Sequence, residues 1–448
     1  MKKNYPASVL NYLQTKAADN WQLECQESTG IEMVVVVPCI CEFENIKLLL
    51  DSLARNSKSS LQKTLVIFVI NNSVSSSSEV KADNKSCIDY LRKIIYKNFS
   101  DDISKYFSES GIRIGLIDAA TSGKEFNNKI ASVGLARKIG MDSSLQIFDY
   151  SKPGKKIIIC LDADCVVDEN YLQEIQNTFN EQECFCALVD FEHTLPEEET
   201  KKVGILSYEI FLRHYVTGLL FADSSFAFHT IGSTIICEYN AYTKIGGMNS
   251  KKAAEDFYFL QKLAKNYEIH QIWKTKVKPS SRDSWRVPFG TGKSMTDFSS
   301  GKKEILVFDP EIYLILKKWL LLFNSDLILN PDNILKQSKI IHPELYSFLD
   351  SRRFTEEWNK ILQNSKSEKQ LHYQRKNWFD AFKTLKLIHH LRDTSFPMMD
   401  VIDGVKKLFN VVEYSSKFGS EIDSKSKVEK LKYLLSELKV LEFKFHNN

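Results

Sequence analysis

The sequence predicts an α/β protein with a mostly parallel central sheet flanked by helices, followed by a C-terminal α-helical unit. From about residue 31, short apolar and often β-branched runs alternate with segments whose apolar residues have helical spacing. Strands that are apolar along their whole length, with helices between them, are typical of parallel sheets covered on both faces. After residue 301 the strand-like runs stop, and helical spacing continues towards residue 448. We therefore expect two structurally different parts in this chain.

The individual elements follow in order along the chain. Strands are predicted at residues 33–37, 65–70, 112–117 and 157–161, and with wider spacing at 184–190, 231–237 and 269–277. Helices are predicted at residues 44–53, 88–96, 129–141, 168–179, 312–327 and 428–443. The resulting domains are an N-terminal extension at 1–30, an α/β domain at 31–300 and a helical unit at 305–448.

Composition limits the partners and the compartment. The 60 basic and 57 acidic side chains leave a net charge of only +3, whereas a general nucleic-acid binder is usually more basic. The nine cysteines are odd in number and lie mostly in apolar runs, which favours reduced thiols and a cytoplasmic protein. No apolar core follows the N-terminal lysines, and the apolar stretch at 313–329 is interrupted by charges, so it falls short of the roughly 20 apolar residues that cross a bilayer. We expect no transmembrane segment; peripheral contact with the inner face of the membrane stays open.

Two alternate carboxylates, Asp162 and Asp164, directly follow the predicted strand at 157–161. Open α/β sheets bind ligands at the carboxyl ends of their strands, and carboxylate oxygens suit Mn²⁺ or Mg²⁺. A metal ion held there could bridge a nucleotide diphosphate and neutralise charge on the departing group. A solvated Asp-x-Asp turn is the other interpretation of the same residues.

Five segments of the chain form an ordered series of motifs, at residues 34–42, 69–73, 134–140, 231–248 and 252–260. In this order along the chain, they resemble the motifs of the inverting glycosyltransferases of family 2, which have the GT-A fold. The resemblance extends from about residue 32 to 265. The chain departs from the family pattern where Cys41 replaces an Asn and where Asn71 and Asn72 replace an Asp-Asp pair. The resemblance implies a GT-A-like domain that binds a nucleotide-diphosphate sugar.

The resemblance also implies how the donor is bound. Arg137 would face the nucleotide or its diphosphate, since a guanidinium offers forked donors to phosphate, and Gly232 would let the backbone approach the sugar closely. The uncharged amides of Asn71 and Asn72 would contact the base or ribose. The complete set of predicted donor-binding residues is Pro38, Glu42, Asn71, Asn72, Lys124, Arg137, Asp162, Gly232, Ser233, Arg282 and Arg286.

Arg282 and Arg286 belong to this set because they lie in a basic loop with glycines that could fold over the diphosphate. An exposed basic connector is the other interpretation. The end of the loop imitates an ATP-binding P-loop, but Val287 stands where that motif requires glycine. The Gln-x-x-Arg-Trp string of processive family members is also missing, so polymer synthesis is not favoured.

Glu255 and Asp256 open a helical segment, and the resemblance implies that they are catalytic. Asp256 would be the general base, while Glu255 would orient the acceptor or support the loop. Acids in the first turn of any helix are favoured by its dipole, so capping is the simpler interpretation. The predicted function is a metal-dependent, inverting glycosyltransferase of the hexosyltransferase class. Its acceptor is an unidentified hydroxyl on a small molecule, a glycan or a lipid-linked molecule.

Three other functions stay open at this point. A retaining transferase on the same fold would need no base at Asp256. A nucleotidyltransferase would want a glycine-rich loop after the first strand, and residues 38–41 have none. A catalytically silent binding module is permitted by Asn71 and Asn72 but disfavoured by the presence of both Asp164 and Asp256.

Overall fold

A computed structural model describes residues 5–18, 20–26, 29–98, 102–181, 183–251, 253–283, 290–326, 330–416 and 424–447. The chain forms two compact units. One comprises Met1–Thr194 and Thr230–Ser280, and the other comprises Leu195–His229 and Ser281–Asn448. Residues 195–229, which the predicted bounds include in the α/β domain, thus group with the C-terminal helices, whereas the N-terminal extension groups with the sheet.

The first unit contains a nine-stranded sheet within the described residues, with strand order β1-β4-β3-β2-β5-β8-β7-β9-β6. Its strands are β1 Leu23–Cys25, β2 Met33–Cys39, β3 Thr64–Asn71, β4 Arg113–Ala119, β5 Ile157–Cys160, β6 Cys165–Val167, β7 Cys186–Phe191, β8 Ile235–Glu238 and β9 His270–Pro279. The short strands β1 and β6 were not predicted, because three residues carry too little pattern to be recognised.

The centre of the sheet is parallel. Strands β4, β3, β2 and β5 are consecutive neighbours with parallel pairing, and β2, β3 and β5 are buried along their whole length. Strand β8 is antiparallel to both β5 and β7, so β7 runs in the direction of β5, and β9 is parallel to β7. The predicted α/β class is confirmed, and the carboxyl ends of six strands share one edge of the sheet.

Helices of the first unit cover this sheet. One long helix lies between them in sequence but belongs to the second unit. The first ten are α1 Ala7–Thr15, α2 Phe43–Ala54, α3 Lys58–Leu61, α4 Ser78–Ile95, α5 Asp102–Ser110, α6 Val133–Ile147, α7 Tyr171–Glu181, α8 Glu199–Phe221, α9 Tyr239–Lys244 and α10 Glu255–Asn266. Of these, α8 lies in the second unit.

The predicted strand at 231–237 is wrong in its first half. Gly232–Thr234 forms a 3₁₀ turn, and strand β8 begins only at Ile235. The turn forms because both the backbone N–H of Thr234 and its hydroxyl donate to the carbonyl of Ile231, at 3.1 Å and 2.9 Å. The chain therefore changes direction beside β5 before it joins the sheet.

Helix α6 is held tightly against the sheet. It begins at Val133 because the Ser132 hydroxyl caps it, accepting from Leu135 N at 3.1 Å. A side chain at Gly140 would collide with Val36 of β2. Behind the helix, the buried carboxylate of Asp142 accepts hydrogen bonds from Tyr12 of α1 at 2.8 Å and from Tyr242 of α9 at 2.6 Å. The N-terminal segment thus helps to fix the helix that carries Arg137.

The second unit is helical in its described residues. Its remaining helices are α11 Thr291–Ser299, α12 Glu311–Asn324, α13 Pro331–Ile341, α14 Pro343–Asp350, α15 Phe354–Asn364, α16 Glu368–Trp378, α17 Ala381–Thr394, α18 Val401–Val411 and α19 Lys427–Asn447. Aromatic rings such as Trp319, Phe323 and Trp358 pack at its centre. Over the part of the chain that is described, no helix is both long and apolar enough to span a membrane.

Candidate active site

The site is built around the buried guanidinium of Arg137. Its Nη2 lies 2.5 Å from Asp162 Oδ1, and its Nη1 pairs with the Glu255 carboxylate. Arg137 and Glu255 are each only 4% exposed, and a guanidinium matches two carboxylates in fixed directions. The ion pairs join helix α6, the exit of strand β5 and the first turn of α10, which are far apart in sequence.

Two glycines make this packing possible. A Cβ atom on Gly232 would collide with the Arg137 guanidinium, and one on Gly134 would lie 2.9 Å from the Lys251 carbonyl oxygen. The family resemblance implies that Gly232 accommodates the donor sugar, and this stays a prediction. In the structure, the missing side chain of Gly232 leaves space for the Arg137 guanidinium. Ser233, beside it, is buried in the same turn.

Asp256 lies next to this arginine in the first turn of α10. Ala254 precedes the helix with a left-handed φ of 57°, a conformation that costs an alanine roughly 1–2 kcal/mol and that turns the chain into the helix. Burial raises the pKa of the Asp256 carboxyl to about 6, and the negative charge of Glu255 adds to the rise while Arg137 opposes it. A carboxyl with this pKa is largely ionised at neutral pH and is well suited to accept a proton.

Asp162 and Asp164 lie where β5 leaves the sheet, and both are half-buried. Asp162 gives one oxygen to Arg137, and its side chain is still 34% exposed. Among the described residues there is no group of three or more His, Cys, Asp or Glu side chains arranged to hold a metal ion. These two carboxylates fit an ion whose other ligands are donor phosphates and water, which is how Mg²⁺ is usually held.

The turn after β2 is fixed by Asn84, a residue that was not predicted from the sequence. Cys41 has a left-handed φ of 57°, which asparagine tolerates better than cysteine does, and its N–H donates to Asn84 Oδ1 at 2.9 Å. The Asn84 amide donates in turn to Asn71 O at 3.0 Å and to Asn72 Oδ1 at 2.9 Å. Its position on the apolar stripe of α4, between Val80 and Cys87, was the signal that could have revealed it.

The two asparagines at the end of β3 have different surroundings. Asn72 is 1% exposed, and its amide is used within the protein, since Nδ2 donates to Ser73 O and Oδ1 accepts from Asn84. Asn71 donates through Nδ2 to Cys39 O at 2.9 Å and to Val69 O at 3.1 Å. Those two bonds orient its amide and direct the donor side of the amide towards the protein backbone.

The remaining predicted donor-binding residues are spread more widely. Pro38 is buried within β2, and Glu42 is buried with Oε2 accepting from Asn45 at 2.5 Å. Lys124 is half-exposed, and its ammonium lies 3.2 Å from Asp118 Oδ2. Arg282 belongs to the second unit.

Arg286 lies outside the described residues. The predicted closure of the basic loop over the diphosphate therefore stays a prediction.

No protein-family model matches the sequence, and no curated protein matches it. Among solved structures, the chain is similar to S. aureus TarS 1-349 in complex with UDP-GlcNAc. The identity is 13%, the TM-score is 0.36, and the match covers 93% of this chain and 92% of that one. It is also similar to the mannosyltransferase PcManGT from Pyrobaculum calidifontis in complex with GDP-Man and Mn²⁺. There the identity is 11%, the TM-score is 0.35, and the match covers 98% of this chain and 94% of that one.

The resemblance to nucleotide-sugar transferases therefore continues to rest on the sequence motifs and on the α/β sheet described above. Identities and TM-scores this low carry no information about the substrate or the metal of this chain. Those are proposed below from the chain's own residues.

Proposed function

We propose that this protein is a glycosyltransferase that moves a sugar from a nucleotide-diphosphate donor to an acceptor hydroxyl with inversion at the anomeric carbon. The observation that carries the proposal is the double ion pair of Arg137 with Asp162 and Glu255. It brings the Asp-x-Asp exit of β5 beside Asp256, so a carboxylate pair suited to a metal-diphosphate and a suitable base occupy one region of the first unit.

The donor nucleotide would lie along the edge formed by the ends of β2 and β3. This edge is where open α/β sheets bind their ligands, and here the Asn84 hydrogen bonds hold the two turns together. Of the two asparagines at this edge, Asn71 is the one that would contact the base or ribose, because the amide of Asn72 is used within the protein. Arg137 acts as a positioning residue for the two carboxylates, because both of its terminal nitrogens are already paired with them.

A divalent ion fits the site as a shared ligand of protein and donor. Asp164 and the outer oxygen of Asp162 would hold it together with the donor diphosphate, in keeping with the one or two carboxylates that Mg²⁺ usually takes. Such an ion supplies charge neutralisation on the departing nucleotide.

Asp256 would remove the proton from the acceptor hydroxyl as that oxygen attacks the anomeric carbon. One displacement at one carbon inverts its configuration, so the product would have the opposite anomeric form to the donor. The charges of Glu255 and Arg137 adjust the pKa of this base in opposite directions. The acceptor hydroxyl would be deprotonated only when the base is ionised.

The test is a screen of nucleotide sugars with Mn²⁺, in which slow donor hydrolysis is followed by release of the nucleoside diphosphate. Asp256→Asn should keep donor affinity and lose rate, since general-base catalysis contributes roughly 10²–10⁴-fold. Asp89→Asn, at an exposed position on α4, is the matched control and should behave like the unaltered protein. No turnover with any nucleotide sugar, or a fully active Asp256→Asn, would overturn the proposal.

A further inference from the structure

The second unit carries a groove between α12 and α13 that is lined by aliphatic side chains and has lysines around it. The groove has a volume of about 260 Å³ and is lined by Lys318, Leu322, Gln337, Ile340 and Ile341. At its edge Ile340 is 77% exposed, the highest value among the exposed large apolar residues of the described chain. Leu321, next to Leu322, is 62% exposed. Because Leu322, Ile340 and Ile341 line one groove, their apolar side chains are contiguous, and an exposed apolar groove with polar residues around it indicates a contact surface.

The charge around the groove is positive. Lys318 lies one turn before Leu321 on α12, and Lys336 lies one turn before Ile340 on α13, so each lysine shares a face with its apolar neighbour. Lys339 adjoins Ile340, with its ammonium over the Tyr346 ring. None of the three exposed lysines has a carboxylate within 4.0 Å among the described residues. The first turn of α13 contains one acidic residue, Asp332. Its single negative charge does not cancel the charges of the three lysines, so the sum over these four side chains is positive.

We infer that this face, defined by Lys318, Leu321, Lys336, Lys339 and Ile340, binds the surface of an anionic phospholipid bilayer. Peripheral binding combines apolar side chains at the level of the acyl boundary with lysines at the level of the headgroups. Both parts are present here, and lysines that form no ion pair within the described residues lose none on binding. The attraction falls within a Debye length of the surface and is screened by salt. This inference concerns the helical unit and does not depend on the proposed glycosyl transfer.

The experiment is co-sedimentation of the full chain with vesicles of phosphatidylcholine, alone or mixed in equal parts with phosphatidylglycerol. Binding is expected only to the mixed vesicles and should weaken as salt is added. The triple variant Lys318→Ala, Lys336→Ala, Lys339→Ala should bind about a hundredfold more weakly, because each lysine near an anionic surface contributes about fivefold. The double variant Leu321→Ser, Ile340→Ser should also bind more weakly at unchanged net charge.

The matched control replaces Lys360, Lys366 and Lys369, three exposed lysines of the same unit, by alanine. It removes the same charge and should bind almost normally. All the altered side chains are exposed, so thermal unfolding should be unchanged in every variant. Absence of binding to the mixed vesicles would overturn the inference. An equal loss in the control, or no loss in the Leu321 and Ile340 variant, would overturn it as well.

Discussion

Gly232 lies directly against the guanidinium of Arg137, so a single added methyl group at Gly232 would collide with three atoms of that guanidinium. The guanidinium cannot move away without breaking an ion pair, because its two terminal nitrogens are paired with Asp162 and Glu255. We expect Gly232→Ala to lower the free energy of unfolding by about 1–3 kcal/mol, as overpacked cores do. Urea denaturation measures the change.

A double-mutant cycle tests the cause of this loss. In an Arg137→Ala background the added methyl group has space, so Gly232→Ala should cost clearly less there than in the unaltered chain. The backbone of Gly232 is not in the left-handed region, so strain in φ would not explain a loss. An equal cost in both backgrounds would contradict the role assigned to the arginine.

The pH dependence of turnover should report Asp256. Its pKa is raised to about 6, so kcat/KM should rise as the pH increases through about 6, where the base becomes ionised. Arg137→Gln removes a positive charge that lowers this pKa, and the rise should then move to higher pH. The measurement is a pH–rate profile of both proteins. An inflection at the same pH in the variant would mean that another group titrates.

Asn84 should control the shape of the two turns at which we propose that the nucleotide binds, without touching the nucleotide. Asn84→Asp replaces an amide donor with a carboxylate that faces Asn71 O and Asn72 Oδ1, so two buried acceptors lose their donor. Each unsatisfied buried group costs about 1–3 kcal/mol, so the end of β3 is destabilised, while the Cys41 N–H can still donate to a side-chain oxygen of the variant. We expect weaker binding of nucleoside diphosphate in calorimetry. Lys85→Ala, the exposed neighbour, is the control, and equal affinities in both variants would contradict this role.

The parts of this site that follow local rules could be predicted from the sequence. Asp162 and Asp164 follow a recognisable buried strand, and the edge at which they lie follows from the direction of that strand. The partners of Arg137 could not be predicted in the same way, because Glu255 is 118 positions away and meets it only through tertiary packing.

Helix α8 shows a different limit of sequence reasoning. Its buried residues include Glu209 and Arg213 as well as apolar ones. Polarity therefore gives no indication of which face is covered. The grouping of residues 195–229 with the C-terminal helices depends on contacts with α19, and no periodicity in α8 reveals them.

The metal hypothesis has a direct test at Asp164. Asp164→Asn removes one negative oxygen from the expected ligand pair, so turnover that is sensitive to chelator should be lost while thermal unfolding stays the same. Asp168→Asn, at the other end of β6, serves as a control in the same region. Activity that persists in excess chelator, or in Asp164→Asn, would exclude a metal bound through this residue.

The second unit should be sensitive to acid through Glu442. Arg213 and His229 lie on its two oxygens at 2.9 Å and 2.8 Å, and the pKa of this buried carboxyl is lowered from 4.5 to about 2. A lowered pKa gives stability that is complete above the unfolded value and is lost as the pH falls from about 4.5 towards 2, with up to about 3 kcal/mol at stake. Glu442→Gln should flatten that part of the stability curve. Glu356→Gln, on the surface of the same unit, should leave the curve unchanged.

The packing of α8 against α19 has a consequence for folding during synthesis on the ribosome. Helix α8 packs along α19. The buried Arg213 of α8 donates a hydrogen bond to Glu442, which lies on α19. On the order of 200 residues separate the two helices, and at about 5–20 residues per second the ribosome needs about ten to forty seconds to reach the second. During that interval α8 is already outside the ribosomal tunnel. Its apolar side chains and the charged Arg213, all of which are buried in the folded protein, are then exposed to water. Newly made chains should therefore be most vulnerable to aggregation and proteolysis around α8 until α19 has been synthesised.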